Sequence, residues 1–172
     1  MKYALVTGGS RGIGKAICME IARMGIPVIV NYQSNTSAAG ELETAIKEMG
    51  GTVELLKFDV GNAAETDAAL EAWAEKHSEG YIAYLVNNAG IRRDNVMFMM
   101  PDEDWHVVIS TTVDGFYNVT RRCLPKMMMR KIVNIASLSG LKGMQGQTNY
   151  SAAKAALIEA TKALALETAR EM

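Results

Sequence analysis

The sequence predicts an α/β protein built on a parallel β-sheet with helices on both faces, as one domain over residues 1–172. Three observations predict it. Short β-rich runs alternate with longer helical patterns along the whole chain. The strand-like runs, PVIVNY and YIAYLV among them, are apolar almost throughout, as strands covered on both faces must be. The first run ends in a glycine-rich turn, VTGGSRGIG, that opens a helix.

The elements follow in order. Residues 3–7 read as the first strand and 11–24 as a helix, with Ile13, Ala16, Ile17, Met19 and Ile21 in its apolar positions. Residues 27–32 form a second strand, followed by a helix from about 36 to 49 that stops at Gly50-Gly51. A third strand at 53–58 and a helix from about 64 to 77 lead to a fourth strand at 81–86. A long helix is expected from about 103 to 129, a fifth strand at 131–136, and a final helix at 149–171. Crossovers between parallel strands are right-handed. No repeat, linker or low-complexity stretch interrupts the pattern.

Composition narrows the function. Hydrophobic residues make up 49 %, charged residues 22 %, and the net charge is −1, so no basic excess points to nucleic acid. Aromatic residues are few and Met is frequent (12), which suits an adaptable aliphatic core. Cys18 and Cys123 both fall in helix-like patterns and read as reduced, buried thiols. No apolar run approaches the roughly 20 residues that span a bilayer, so no membrane partner is expected. An apolar strand occupies the first residues in place of a signal peptide, which predicts a cytoplasmic protein. His77 and His106 lack ligand-type neighbours at metal spacing and are expected to be solvated helix residues, with no metal.

The first turn carries Gly8, Gly12 and Gly14 in a T-G-x-x-x-G-x-G pattern. Glycines at a strand-to-helix turn let the backbone approach a pyrophosphate while the helix N-terminus points at it. A merely tight βα turn is the other reading, and the spacing departs from the common G-x-G-x-x-G fingerprint. The second strand ends Asn31-Tyr32-Gln33-Ser34-Asn35, with no acid to hold a ribose 2′-hydroxyl and repel a 2′-phosphate. Arg11, inside the loop, can meet such a phosphate or can be a solvated charge. NADPH is favoured over NADH.

The stretch NYSAAK puts Tyr150 and Lys154 four residues apart, so both side chains leave a helix on the same side. An ammonium beside a phenol stabilises the phenolate and makes the tyrosine a plausible proton donor.

Taken together, TGGSRGIG, the Asp59-Val60 pair, NNAG at 87–90 and a serine ahead of YSAAK resemble the short-chain dehydrogenases/reductases. Ser137 lies 13 residues before Tyr150, the spacing that family uses. Within it, NNAGIRRDN and GQTNYSAAK are most similar to the 3-oxoacyl-acyl-carrier-protein reductases of fatty-acid synthesis. The resemblance implies a Rossmann-type, doubly wound sheet and NADPH-dependent reduction of a 3-oxoacyl thioester. It makes Tyr150 the general acid on the substrate carbonyl, Ser137 a hydrogen-bond donor to the same oxygen, and Lys154 the group that stabilises the phenolate and holds the nicotinamide ribose. Gly8, Ser10, Arg11, Gly12, Ile13, Gly14 and Gln33 would bind the cofactor's phosphates and adenosine. Asp59 and Val60 would bracket the adenine, and Asn88, Ala89 and Gly90 would line the cleft. Ser139 stands two residues too close to Tyr150 and reads as structural, and Asn149 as a helix-start residue.

Three departures stand against the resemblance. Thr112 occupies the position where the family often places an asparagine that serves a proton relay. The connection KMMMRKIV, 126–133, is about three residues short, although Arg121, Arg122, Lys126, Arg130 and Lys131 make a basic cluster that could meet an acidic carrier protein or simply be solvated. The family continues beyond the tyrosine–lysine helix into further strands and a substrate lid. The resemblance therefore implies that the sequence is part of a longer chain, with an exposed sheet edge in their absence. It also implies a homotetramer built on paired helices, for which Ala153, Ala156, Ala160 and Ile158 supply a close-packing face. The alternatives are a reductase of another small ketone or alcohol, and a nucleotide-binding sensor or scaffold that has lost catalysis.

Overall fold

The structure, a computed structural model, describes residues 1–127 and 131–169. Its elements are β1 (Lys2–Val6), α1 (Gly12–Arg23), β2 (Val28–Tyr32), α2 (Thr36–Glu48), β3 (Val53–Lys57), α3 (Ala63–Lys76) and β4 (Tyr81–Asn87). There follow α4 (Asp102–Ile109), α5 (Gly115–Cys123), β5 (Lys131–Asn134), α6 (Ser139–Lys142) and α7 (Thr148–Ala169). All strand pairs are parallel, in the order β3-β2-β1-β4-β5. The order reverses between β1 and β4, and in such sheets a ligand crevice opens at the carboxyl ends of the two strands flanking that reversal.

The apolar strands read as they do because successive side chains serve opposite faces. Ile29, Leu5, Leu85 and Ile132 stand in register across β2, β1, β4 and β5. They meet Leu70, Trp73, Val119 and Cys123 from α3 and α5. One position along, Val30, Val6 and Val86 turn to the other face and pack on Cys18, Ala22, Leu42 and Ile46 of α1 and α2. Leu5, Ile29 and Leu85 are fully buried, and burial of each such side chain stabilises the fold by about 1.5–3 kcal/mol. Cys18 and Cys123 are free and buried, and burial pushes each thiol up to about 12.

Several expectations need correcting. The single long helix is broken: α4 passes into a π-helical turn at Ser110–Asp114, continues as α5, and ends in a 3-10 turn at Leu124–Lys126. Pro125, which has no N–H to continue the ladder, sits in that last turn. Gly115 marks the other break, where a Cβ would lie 2.8 Å from the Val60 side chain. His77 is not a solvated helix residue. Its ring stacks on Trp73 at 4.6 Å, and its Nε2 lies 3.0 Å from the Glu54 carboxylate. Residues 128–130 and 170–172, including Arg130 of the basic cluster and most of the short connection, lie outside the described residues. Within that cluster Arg122 is ion-paired with Asp67 of α3, and the guanidinium holds the Asp67 carboxyl below its usual range. β5 forms one edge of the sheet, with Val133 54 % exposed. On α7, Ala153 is buried within the protomer, whereas Ala156 is exposed and Ala160 half-buried. Among the described residues no helix is long and apolar enough to cross a membrane, and no group of three or more potential ligands gathers as a metal site.

Candidate active site

The turn after β1 is shaped by its neighbours. Gly8 and Gly12 take positive φ (60° and 55°), a region that L side chains rarely adopt. Asn31, buried in β2, accepts from the Gly8 amide at 3.1 Å and donates to the carbonyls of Leu56 and Phe58 at 3.3 and 3.0 Å. One side chain thus ties the glycine turn to β2 and β3. Thr7 and Asn88 lock the turn to β4: the Asn88 amide group donates to the carbonyls of Thr7 (2.9 Å) and Gly8 (3.0 Å), and Thr7 Oγ1 accepts from the amides of Asn88 and Ala89. No side chain caps the N-terminus of α1, so its first-turn amides keep their positive end for a ligand.

A cleft of about 530 Å³ opens over this turn, at the carboxyl ends of β1 and β4. Gly8, Ser10, Arg11, Gly12, Ile13, Gly14, Gln33, Asp59, Val60, Asn88, Ala89, Gly90, Tyr150 and Lys154 all line it. Ser137 does not; it is half-buried on the segment between β5 and α6. Asn31, Phe58, Arg92, Thr111 and Ile135 also line the cleft and were not singled out by sequence. The cradle fits a dinucleotide. Nothing lies within 4 Å of a Cβ built on Gly12, so that face is open, while at Gly14 a Cβ would stand 2.4 Å from the Gly8 carbonyl. At the far end the Asp59 carboxylate accepts from Gln33 and from the Gly61 amide, both at 2.8 Å.

Helix α7 delivers the other wall. A chain of hydrogen bonds from Asn87 to Asn134 (2.8 Å) and on to Thr161 (2.8 Å) fastens α7 to β4 and β5. Close packing at Gly140, where a Cβ would meet the Lys154 carbonyl carbon at 2.7 Å, fastens it to α6. Asn149 is in the first turn of α7 but does more than begin it. Fully buried, it donates to the carbonyls of Arg93 (2.9 Å) and Asp104 (3.1 Å), joining α7 to the loop after β4 and to α4.

Tyr150 therefore enters the cleft with Lys154 one turn behind, the ammonium 5.7 Å from the phenol ring centroid. Lys154 is buried and donates to the Ile135 carbonyl at 2.6 Å; burial pulls its pKa below the ordinary 10.5. Beside Gly90, Thr112 on the π turn is buried with its hydroxyl unpaired. The arrangement places a phenol, a buried lysine and an uncapped helix N-terminus around one opening, a geometry that can deliver a proton to a group held in the cleft.

The family model described as short chain dehydrogenase matches residues 2–172. The 3-oxoacyl-[acyl-carrier-protein] reductase FabG of Aggregatibacter actinomycetemcomitans is 44 % identical over 170 residues, covering 96 % of this chain and 69 % of that protein. The 3-oxoacyl-[acyl-carrier-protein] reductase of Synechocystis is 42 % identical over 171 residues, covering 98 % of this chain and 68 % of that protein. The acetoacetyl-CoA reductase of Rhizobium meliloti is 42 % identical over 172 residues, with the same coverage of 98 % and 68 %. The chain belongs to the short-chain dehydrogenase family.

Proposed function

We propose that the protein is an NADPH-dependent reductase that converts a 3-oxoacyl thioester, carried on acyl carrier protein, to the 3-hydroxyacyl form in fatty-acid synthesis. The observation that carries this reading is Tyr150 with Lys154 in the same cleft as the glycine turn, in a chain similar to proteins named for reducing 3-oxoacyl and acetoacetyl thioesters. When bound, the nicotinamide supplies a hydride to the ketone carbon. Tyr150 donates its phenolic proton to the ketone oxygen, and the buried Lys154 ammonium stabilises the phenolate that remains. Ser137 donates a hydrogen bond to the same oxygen and stabilises the charge that develops there. Lys154 has three donors, of which the Ile135 carbonyl takes one; the other two are available to ribose hydroxyls. Arg11 and the uncapped end of α1 receive phosphate, and the absence of an acid over 31–35 leaves a 2′-phosphate unopposed.

The test is cofactor oxidation with acetoacetyl thioesters on carrier protein and on coenzyme A, each with NADPH and NADH. The proposal requires turnover with NADPH and a higher kcat/KM for the carrier-borne substrate. Equal rates with NADH overturn the cofactor assignment, and preference for coenzyme A moves the substrate to the acetoacetyl-CoA class.

A further inference from the structure

A continuous polar chain runs behind the cleft. Arg92, whose guanidinium stands 5.9 Å from the Tyr150 ring centroid, is ion-paired with Asp94. Asp94 accepts from the side-chain amide of Gln147 at 3.1 Å, and the Gln147 carbonyl oxygen accepts from the Ser139 hydroxyl at 2.9 Å. The Ser139 backbone amide then donates to Ser137 Oγ at 3.2 Å. Gln147 and Ser139 are each 8 % exposed. The loop from β4 is held against this run by the Asn95 amide, which donates to the Gly146 carbonyl at 2.8 Å.

The proton directions from Asp94 to the Ser139 hydroxyl are determined at the charged end, and the Ser139 backbone N–H, which can only donate, closes the chain on Ser137. The Arg92 guanidinium holds the Asp94 carboxyl below its usual range, so Asp94 only accepts. Gln147 must turn its NH₂ toward that carboxylate and its oxygen toward Ser139. The Ser139 hydroxyl must then donate, which orients the first residue of α6. Its amide occupies a lone pair of Ser137 Oγ, and the Ser137 proton is left to donate elsewhere. Apolar side chains would fill this space without such a directional constraint, whereas the buried Gln147–Ser139 pair specifies one arrangement, with the Arg92–Asp94 ion pair as its exposed end.

We propose that Asp94, Gln147 and Ser139 are positioning residues for Ser137, holding its oxygen as an acceptor so that its O–H is presented to the substrate ketone. This rests on the role given to Ser137 above, and gives Ser139 a task beyond structure.

The test is a mutant cycle in the full chain. Gln147→Met keeps the side-chain length and loses both hydrogen bonds; Ser139→Ala removes the link from the other side. Each lowers kcat about tenfold with NADPH affinity unchanged, and neither lowers it further in a Ser137→Ala background, because the group they orient is gone. An equal loss in both backgrounds, or none in either, overturns the proposal. A Ser137→Ala protein that turns over like wild type instead removes the catalytic role of Ser137, and the proposal falls with it. The wiring is also read without turnover: the Ser139 amide NMR resonance shifts in Ser137→Ala and again in Gln147→Met. A Ser139 amide unmoved by Gln147→Met contradicts the chain of bonds.

Discussion

Replacing Gly14 with alanine places a methyl carbon 2.4 Å from the Gly8 carbonyl oxygen, 2.6 Å from Asn88 Nδ2 and 3.0 Å from the Gly9 Cα. Ordinary contact begins near 3.4 Å, so the turn must move by about 1 Å, and two of the three obstructing atoms are backbone. Overpacking of this kind costs about 1–3 kcal/mol. The displaced Asn88 amide also loses its geometry to the carbonyls of Thr7 and Gly8, and each such bond contributes about 1 kcal/mol. The sum is roughly 3–5 kcal/mol, of which the part spent deforming the phosphate cradle appears as lost cofactor affinity; about 1.4 kcal/mol is tenfold. Two controls grade the effect. At Gly12 nothing obstructs a methyl group, so Gly12→Ala incurs only the left-handed backbone penalty of about 1–2 kcal/mol. Gly40, inside α2 with open space around it, gains about 0.5–1 kcal/mol as alanine. Urea unfolding with and without NADPH should rank the variants Gly40→Ala, wild type, Gly12→Ala, Gly14→Ala in falling stability, with the largest loss of NADPH stabilisation in the last. Gly14→Ala with the stability and NADPH affinity of Gly40→Ala would refute the reasoning.

Gly140→Ala should act on α7 instead of the phosphate cradle: its methyl group collides with the Lys154 carbonyl carbon and the Ala155 nitrogen at 2.7 and 2.8 Å. Destabilisation of about 1–3 kcal/mol by urea titration should accompany a fall in kcat. Lys154 gives a pH signature. Burial depresses its folded pKa below 10.5, so between the two values the unfolded chain holds more protons and stability rises with pH. Lys154→Met should remove that alkaline rise, unfold no more easily near neutrality, and lose turnover; an alkaline rise that persists in the variant contradicts the buried-ammonium assignment.

Much of the fold was legible because two-sided apolar strands leave a distinctive record. Runs such as VIVNY satisfy opposite faces at alternate residues and so show no polar alternation, which separates them from the amphipathic helices. The cofactor end of the cleft was legible for a related reason: three glycines in one turn have few other uses. What was hidden was mostly polar and tertiary. Asn31 counted in the sequence only as a missing acid, yet it ties the Gly8 amide to β3. A four-residue helix such as α6 is too short to show a period, so Ser139 carried no sign of its partner Gln147. The π turn at Ser110–Asp114 leaves the helical composition unchanged while rotating the positions that follow it. Pro125 is a stop signal in the sequence that the helix expected over 103–129 ran past.

On the proposed function, Tyr150 delivers the proton to a ketone reduced with NADPH. Tyr150→Phe removes one oxygen from the cleft and leaves the glycine turn, the Asn88 lock and Lys154 untouched. NADPH oxidation with an acetoacetyl thioester, measured beside the NADPH dissociation constant, should show turnover reduced at least 100-fold, within the range general acid catalysis contributes, and a dissociation constant within about twofold of wild type. Turnover at the wild-type rate in Tyr150→Phe would contradict the account.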